Sequence, residues 1–381
     1  MSIFSLGLKS LGWHPLFDAY FNEMVHTVST FQNASQKLLP ARVLAAFQGI
    51  YRVGFLAPDS PRDNPLLMES LAELTGRFRH HTHHSQDYPA VGDWVLLEPN
   101  ETRTHARIHG VLPRRSAFTR TKAGTRHGAQ VVAANVDTLF IVTSLNQDLN
   151  LRRLERYLTL AWESQAEPVI LLNKAETPSC SHDGERAERL KEALVALESI
   201  ALGCSVVPLS ALYQQGLEQL TPWLQTGKTV ALIGSSGVGK STLLNALMGE
   251  ETMDTGGIRE DDGKGKHTTT HREIFRLPQG ALLMDTPGMR ELRLHYSEEG
   301  LSQSFQDIEE LIKQCRFRNC SHTTDAGCEL QAAIEEGSLS EGRLASYLKQ
   351  HKENAWLARR ADPVLQANSK QRWKKITQSY K

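Results

Sequence analysis

Between Val136 and about Pro287 the chain alternates short, unbroken apolar runs with stretches of helical periodicity. The runs are Thr138-Leu-Phe-Ile-Val142, Pro168-Val-Ile-Leu-Leu172, Val206-Val-Pro-Leu209, Thr229-Val-Ala-Leu-Ile233 and Ala281-Leu-Leu-Met284; the periodic stretches begin at Leu151, Glu185 and Thr242. A run without polar alternation is a strand covered on both faces. Such strands alternating with helices predict a mostly parallel sheet between helical layers, with its ligand site at the carboxyl ends of the strands.

The texture differs on either side. From Ala41 to about Arg115, short β-rich runs (Arg42 to Phe47, Ile50 to Phe55, Val91 to Leu97) are separated by turn-rich pieces such as Pro58-Asp-Ser-Pro61. They predict a small barrel over 41–115, of a size that often carries single-stranded nucleic acid. Ahead of it lies an extension, 1–40, where Leu16, Phe17, Tyr20, Phe21 and Met24 fall at helical spacing and predict a short amphipathic helix packed on the next domain. Residues 116–135 read as a basic linker, because the stretch from Pro113 to Lys122, followed by Arg126 and His127, is basic with little acid nearby. The parallel sheet is expected to occupy 136–300 and a helical domain with a basic tail 301–381, with a helix over Leu339 to Leu357.

Composition narrows the class. Forty-three basic residues balance forty-three acidic ones, so any contact with nucleic acid rests on local patches. Two such patches are the linker and the tail from Arg359 to Lys381, where Trp373 sits among Arg372, Lys374 and Lys375. No apolar run approaches the ~20 residues that cross a bilayer. Lys9, His14 and Asp18 interrupt the apolar start of the chain before a secretory core forms, which predicts a cytoplasmic protein. The tract Arg77-Phe-Arg-His-His-Thr-His-His84 has no flanking carboxylate or cysteine and reads as a solvated loop. Five cysteines is an odd count, and three lie between positions 315 and 328. Cys315-x4-Cys320-x-His322-x5-Cys328 offers three thiolates and one imidazole, the donor set of a closed structural zinc site; Cys180 and Cys204 read as inert.

The chemistry is concentrated after the apolar runs. Gly234-Ser-Ser-Gly-Val-Gly-Lys-Ser241 is a phosphate-cradling loop between a strand and the helix opened by Thr242. The amides of Gly234, Ser235, Ser236, Gly237, Val238 and Gly239 are expected to face an anion, Lys240 to reach the β- and γ-phosphates, and the Ser241 hydroxyl to hold magnesium. After Leu282-Leu-Met284 comes Asp285-Thr-Pro-Gly288, in which the carboxylate suits magnesium and the Gly288 amide suits a γ-phosphate. Thr269, in the glycine-rich stretch 263–270, is expected to close over the metal. Asn173-Lys-Ala-Glu176 ends a strand, and the Glu176 carboxylate can accept both N–H groups of a guanine edge while Lys174 flanks it; Ser210 and Ala211 supply backbone contacts to the base. That set points to GTP and GDP with magnesium, and away from a P-loop ATPase or kinase. The base-reading pieces precede the phosphate loop, the reverse of a regular GTPase, so the domain is expected to be circularly permuted.

Val91-Gly-Asp-Trp-Val95, Leu112-Pro-Arg-Arg-Ser116, Ala134-Asn-Val-Asp137, Leu151-Arg-Arg-Leu-Glu-Arg-Tyr-Leu158, the permuted order and the cysteine cluster together resemble the circularly permuted ribosome-assembly GTPases of the RsgA (YjeQ) family, over roughly residues 41 to 350. The resemblance implies a multidomain α/β protein with an oligonucleotide-binding-type barrel, a permuted GTPase core and a helical zinc domain. It also implies a partner, the small ribosomal subunit with its rRNA, and a monomer with one structural zinc per chain. The family usually carries aspartate where this chain has Glu176. Met289 stands where many GTPases have a water-orienting glutamine, so unaided hydrolysis is expected to be slow, and the resemblance suggests that His267 compensates. The alternative function is a nucleotide-gated rRNA-binding scaffold with little turnover.

Overall fold

A computed structural model of the chain describes residues 7–31, 37–58, 60, 65–99, 105–121, 129–145, 149–176, 183–249, 272–285, 298–323 and 325–361. Helix α1 (Leu16–Phe31) buries Phe17 and Phe21 against the barrel and leaves Leu16 and Tyr20 at the surface, so its apolar stripe is narrower than the spacing suggests. Trp13, just ahead of it, meets Trp94 edge to face at 4.7 Å between ring centroids. Such a pair contributes about 0.5–1.5 kcal/mol beyond the burial of its surface.

The barrel is built from β1 (Leu39–Ala46), β2 (Ile50–Leu56), β3 (Leu67–Leu74), β4 (Trp94–Glu98) and β5 (Ala106–Val111). The hydrogen-bonded order is β1-β2-β3-β5-β4, and β4 returns to β1 through the pairs Leu39↔Leu97 to Arg42↔Trp94, which closes the barrel. Val43, Val53, Phe55, Val95, Leu97 and Ile108 fill its interior. The histidine tract, expected as a loop, is in part the short helix α2 (Gly76–His81), because the Thr75 hydroxyl accepts the Phe78 amide at 3.2 Å and caps it. His80, His81, His83 and His84 are all exposed.

The stretch expected as a basic linker is a folded junction. Strands β6 (Ala117–Thr121) and β7 (Ala129–Ala134) form a hairpin whose Phe118 and Val132 join the main core. Around it the motifs that carry the family resemblance lock together. Asp93, fully buried, takes both a 2.8 Å and a 2.7 Å bond from the Arg114 guanidinium and a third from the Ala90 amide at 2.7 Å. Burial pushes the Asp93 carboxyl up and Arg114 pulls it back. The Asn135 side chain donates to the Gly92 carbonyl at 3.0 Å and accepts the Arg115 amide at 2.9 Å. Gly92 is required there: its φ is +92°, and a Cβ would lie 2.0 Å from the Ala134 carbonyl oxygen. Arg42, 1% exposed, reaches from the barrel to the carbonyls of Leu11 and Asn135, and burial draws its guanidinium down to about 10.

The second sheet contains β8 (Thr138–Ser144), β9 (Glu167–Asn173), β10 (Ser205–Pro208), β11 (Thr229–Gly234), β12 (Glu273–Arg276) and β13 (Leu282–Asp285), with helices α3 (Leu151–Glu163), α4 (Asp183–Glu198) and α5 (Lys240–Met248) between them. Its order is β10-β9-β8-β11-β13-β12, parallel except for β12. Strand β12 also touches β1 at Ala45↔Glu273, and Glu273 pairs with Arg52, so barrel and sheet are one hydrogen-bonded system of eleven strands.

The C-terminal unit packs α6 (Glu298–Ser304), α7 (Gln306–Ile312), α8 (Glu329–Glu335) and α9 (Glu341–Ala361) around Leu301, Phe305, Ile308, Leu330, Leu344 and Tyr347. It is anchored to α3 by a buried ion cluster. Arg343 donates to Asp307 at 2.6 and 2.7 Å and to Glu155 at 3.0 Å, and its side chain and that of Glu155 are 5% and 3% exposed. Arg343→Ala should strand the Glu155 carboxylate without its counterion and lower stability by about 3–5 kcal/mol, seen as an earlier urea midpoint. A midpoint equal to wild type would show that the cluster is not desolvated.

Candidate nucleotide site and metal centre

All the parallel strands end on one side of the sheet, and the loops that follow them meet there. The register places Gly234 beside Val142, Asn173 beside Ser144 and Pro208 beside Leu172. Asn173 does the joining. Its side chain is 2% exposed, donates to the Val238 carbonyl at 2.8 Å and accepts the Ala211 amide at 3.0 Å. One amide therefore fastens the loop after β9 to the phosphate loop and to the loop after β10.

Lys174 follows in the left-handed region, with φ 61°, and its ammonium donates to the Gly237 carbonyl at 2.7 Å. Ser210 is fixed by paired backbone bonds with Gln215 at 2.9 and 3.0 Å, and Ala175 donates to the Leu209 carbonyl at 3.1 Å. Glu176 is ion-paired with Arg186 of α4.

The phosphate loop runs from Gly234 through Ser235, Ser236, Gly237, Val238 and Gly239 into α5, whose first residues are Lys240, Ser241 and Thr242. Gly239 is the N-cap at φ +94°, and a Cβ there would come within 2.4 Å of Asn173 Nδ2, so the Asn173 tie demands glycine. Val238 is buried and pins the loop to the apolar core beneath it. The Lys240 ammonium curls back to the carbonyls of Gly234, at 2.8 Å, and Ser235. A helix N-terminus with an ammonium beside it favours an anion. Asp285 ends β13, the strand next to β11, opposite Glu273 of β12. His267, Thr269, Gly288 and Met289 lie outside the described residues, as does the tail beyond Ala361.

Cys315, Cys320, His322 and Cys328 bring one donor atom each to within 4.8 Å of one another. His322 Nδ1 lies 3.7 Å from the Cys315 sulfur and 3.8 Å from the Cys328 sulfur. Ligands at zinc–sulfur distances of ~2.3 Å and zinc–nitrogen distances of ~2.0 Å in a tetrahedron are separated by roughly 3.5–3.8 Å, so the cluster fits that ion. The Asp325 carboxylate accepts the Ser321 amide at 2.6 Å, holding the turn between Cys320 and His322. Cys204 is apart from the cluster, and burial pushes its thiol up to about 12, consistent with an inert side chain.

A family profile described as RsgA GTPase matches residues 111–295. The small ribosomal subunit biogenesis GTPase RsgA of Opitutus terrae is 43% identical over 380 residues, covering 97% of this chain and 96% of that relative. The chain belongs to the RsgA GTPase family. The crystal structure of YjeQ from Thermotoga maritima superposes with a TM-score of 0.60 at 27% identity, over 84% of this chain and 99% of the other. YloQ, described as a circularly permuted GTPase, has the same fold: TM-score 0.58 at 22% identity, over 85% of this chain and 97% of the other.

For an RsgA family member, two further side chains at the site carried no signal in the sequence. Arg153, in the first turn of α3, donates to the Ser235 hydroxyl. Arg186 pairs with Glu176 from a helix whose arginines look like any solvated face. Arg153 does sit inside the motif Leu151 to Leu158, but only the fold shows which loop that helix turn meets. Replacing Asn173 by alanine leaves the Ala211 amide and the Val238 carbonyl unpaired at about 1–3 kcal/mol each, so GDP affinity should fall at least roughly tenfold in a fluorescent-nucleotide titration. An unchanged affinity would mean that the three loops hold their places without it.

Proposed function

We propose that this chain hydrolyses GTP and acts, as a cytoplasmic monomer, on the small ribosomal subunit, the partner named for its relative in Opitutus terrae. The observation that carries the proposal is the single buried amide of Asn173, which holds the base-reading, phosphate and Ser210-Ala211 loops together at one sheet edge. Glu176 reads the guanine edge, and Lys174 and Ala211 flank the base. The amides from Gly234 to Gly239 surround the phosphates. Lys240, released from the loop carbonyls it now contacts, is placed to stabilise charge on the β- and γ-phosphates, the main contribution a protein makes to phosphoryl transfer.

The Ser241 hydroxyl, the Asp285 carboxylate and Thr269 would supply hard oxygen donors for magnesium, which would contribute charge neutralisation at the phosphates. Gly288 senses the γ-phosphate, and His267 supplies the polar group that Met289 lacks. Cys315, Cys320, His322 and Cys328 hold one structural zinc, and the basic stretches at 113–126 and 359–381 meet rRNA phosphates. Among the described residues no helix is long and apolar enough to cross a membrane.

Met289 favours one competing reading, a nucleotide-gated rRNA-binding scaffold. Single-turnover hydrolysis separates the two: added small subunits should raise the rate by more than roughly tenfold, and Lys240→Ala should abolish it. No stimulation would favour the scaffold. Elemental analysis of the full chain should return one zinc, lost in Cys328→Ser with a lower unfolding temperature for the C-terminal unit; a zinc-free but equally stable chain would contradict the metal assignment.

A further inference from the structure

The Glu176 carboxylate reaches one methylene further than an aspartate and turns about one more torsion, so its direction is not set by the backbone alone. In the structure it is held from behind. The Arg186 guanidinium, from the first turn of α4, donates to Glu176 Oε2 and also, at 3.4 Å, to the Lys174 carbonyl two residues earlier. The Glu176 side chain is 15% exposed and that of Arg186 is 47% exposed. The carboxylate is thus mostly covered while its partner is half-exposed. A carboxylate offers about four lone-pair directions and Arg186 occupies one, which leaves room for the two N–H donors of a guanine edge.

We infer that Arg186 is a positioning residue for base recognition: its bond to Glu176 Oε2 and its tie to the Lys174 carbonyl orient the longer carboxylate for a guanine edge. The inference rests on Glu176 being the base reader. An ion pair with a half-exposed guanidinium adds little to stability, so its effect lies in the rotamers removed from Glu176 before the base arrives.

Base discrimination tests it. Inosine differs from guanosine only by lacking the exocyclic amine, so the ratio of IDP to GDP dissociation constants reports the second bond to Glu176. Both ligands are titrated with magnesium against the zinc-loaded full chain, wild type and variants. Wild type should prefer GDP by about tenfold or more, the value of one hydrogen bond to a charged group. Arg186→Ala should shrink that ratio roughly three- to tenfold, the cost of ordering one long side chain, and Arg186→Lys should keep most of it. In Glu176→Asp the shorter side chain no longer needs a brace, and adding Arg186→Ala should change the ratio little. A merely structural role would weaken both ligands equally and leave the ratio alone. If Glu176→Ala abolishes the preference while Arg186→Ala retains it, the inference is overturned and the base reader stands. If Glu176→Ala itself retains the preference, the base-reading assignment fails and the inference with it.

Discussion

The site depends on the Asn173 side chain, whose donor and acceptor halves are both used inside a buried pocket. Segments at 173, 211 and 238 are fixed to one another by two hydrogen bonds from a single residue. The Lys174 ammonium on the Gly237 carbonyl and the Ala175 amide on the Leu209 carbonyl support the same junction. Because the Asn173 side-chain amide is satisfied at both ends, rotating it would leave two buried polar groups unpaired, and that cost keeps the three loops in one arrangement.

Helix α3 extends this order away from the sheet edge. Its first turn reaches the phosphate loop through Arg153 and Ser235, and Glu155, two residues on, enters the ion cluster of Arg343 and Asp307. Further along, Thr159 meets Gln350 at 3.2 Å and Arg156 meets Glu353. A regular helix transmits displacement without absorbing it, so the phosphate loop and the cysteine-bearing unit are mechanically adjacent although separated in sequence. Helices α3 and α6 also pack closely at Gly300, where a Cβ would lie 2.9 Å from the Glu163 Cβ.

Much of this was legible in the sequence where one physical demand dominates a segment. The two-sided burial of a parallel sheet writes itself as unbroken apolar runs, and β8, β9, β10, β11 and β13 all appear in that form. The phosphate loop and the cysteine spacing are set by a ligand's geometry and read equally well. Strand β3 was not legible, because Leu67-Met-Glu-Ser-Leu-Ala-Glu-Leu74 breaks alternation and leaves Met68 and Leu71 exposed. Strand β5 does carry the alternation of a half-buried strand, with Arg107 and His109 between Ala106, Ile108 and Gly110, but it is short and its His109 is paired at 2.7 Å with Glu98 across the strands, a contact only the fold shows. The hairpin of β6 and β7 looked like a linker because the basic residues around it outweigh the short apolar piece Val131-Val-Ala-Ala134. Arg42, Arg186 and Arg343 were invisible for a common reason: an arginine's role is decided by what folds against it, and a sequence shows only that it is charged.

The central claim is that pieces at four strand ends form one pocket for a guanine nucleotide. Isothermal titration of the full chain with GDP and with ADP, each in excess magnesium, tests this directly. The account requires one GDP per chain and an ADP affinity weaker by roughly a hundredfold or more, since adenine offers Glu176 no matching pair of donors. Equal affinities for the two nucleotides, or no uptake of either, would contradict it.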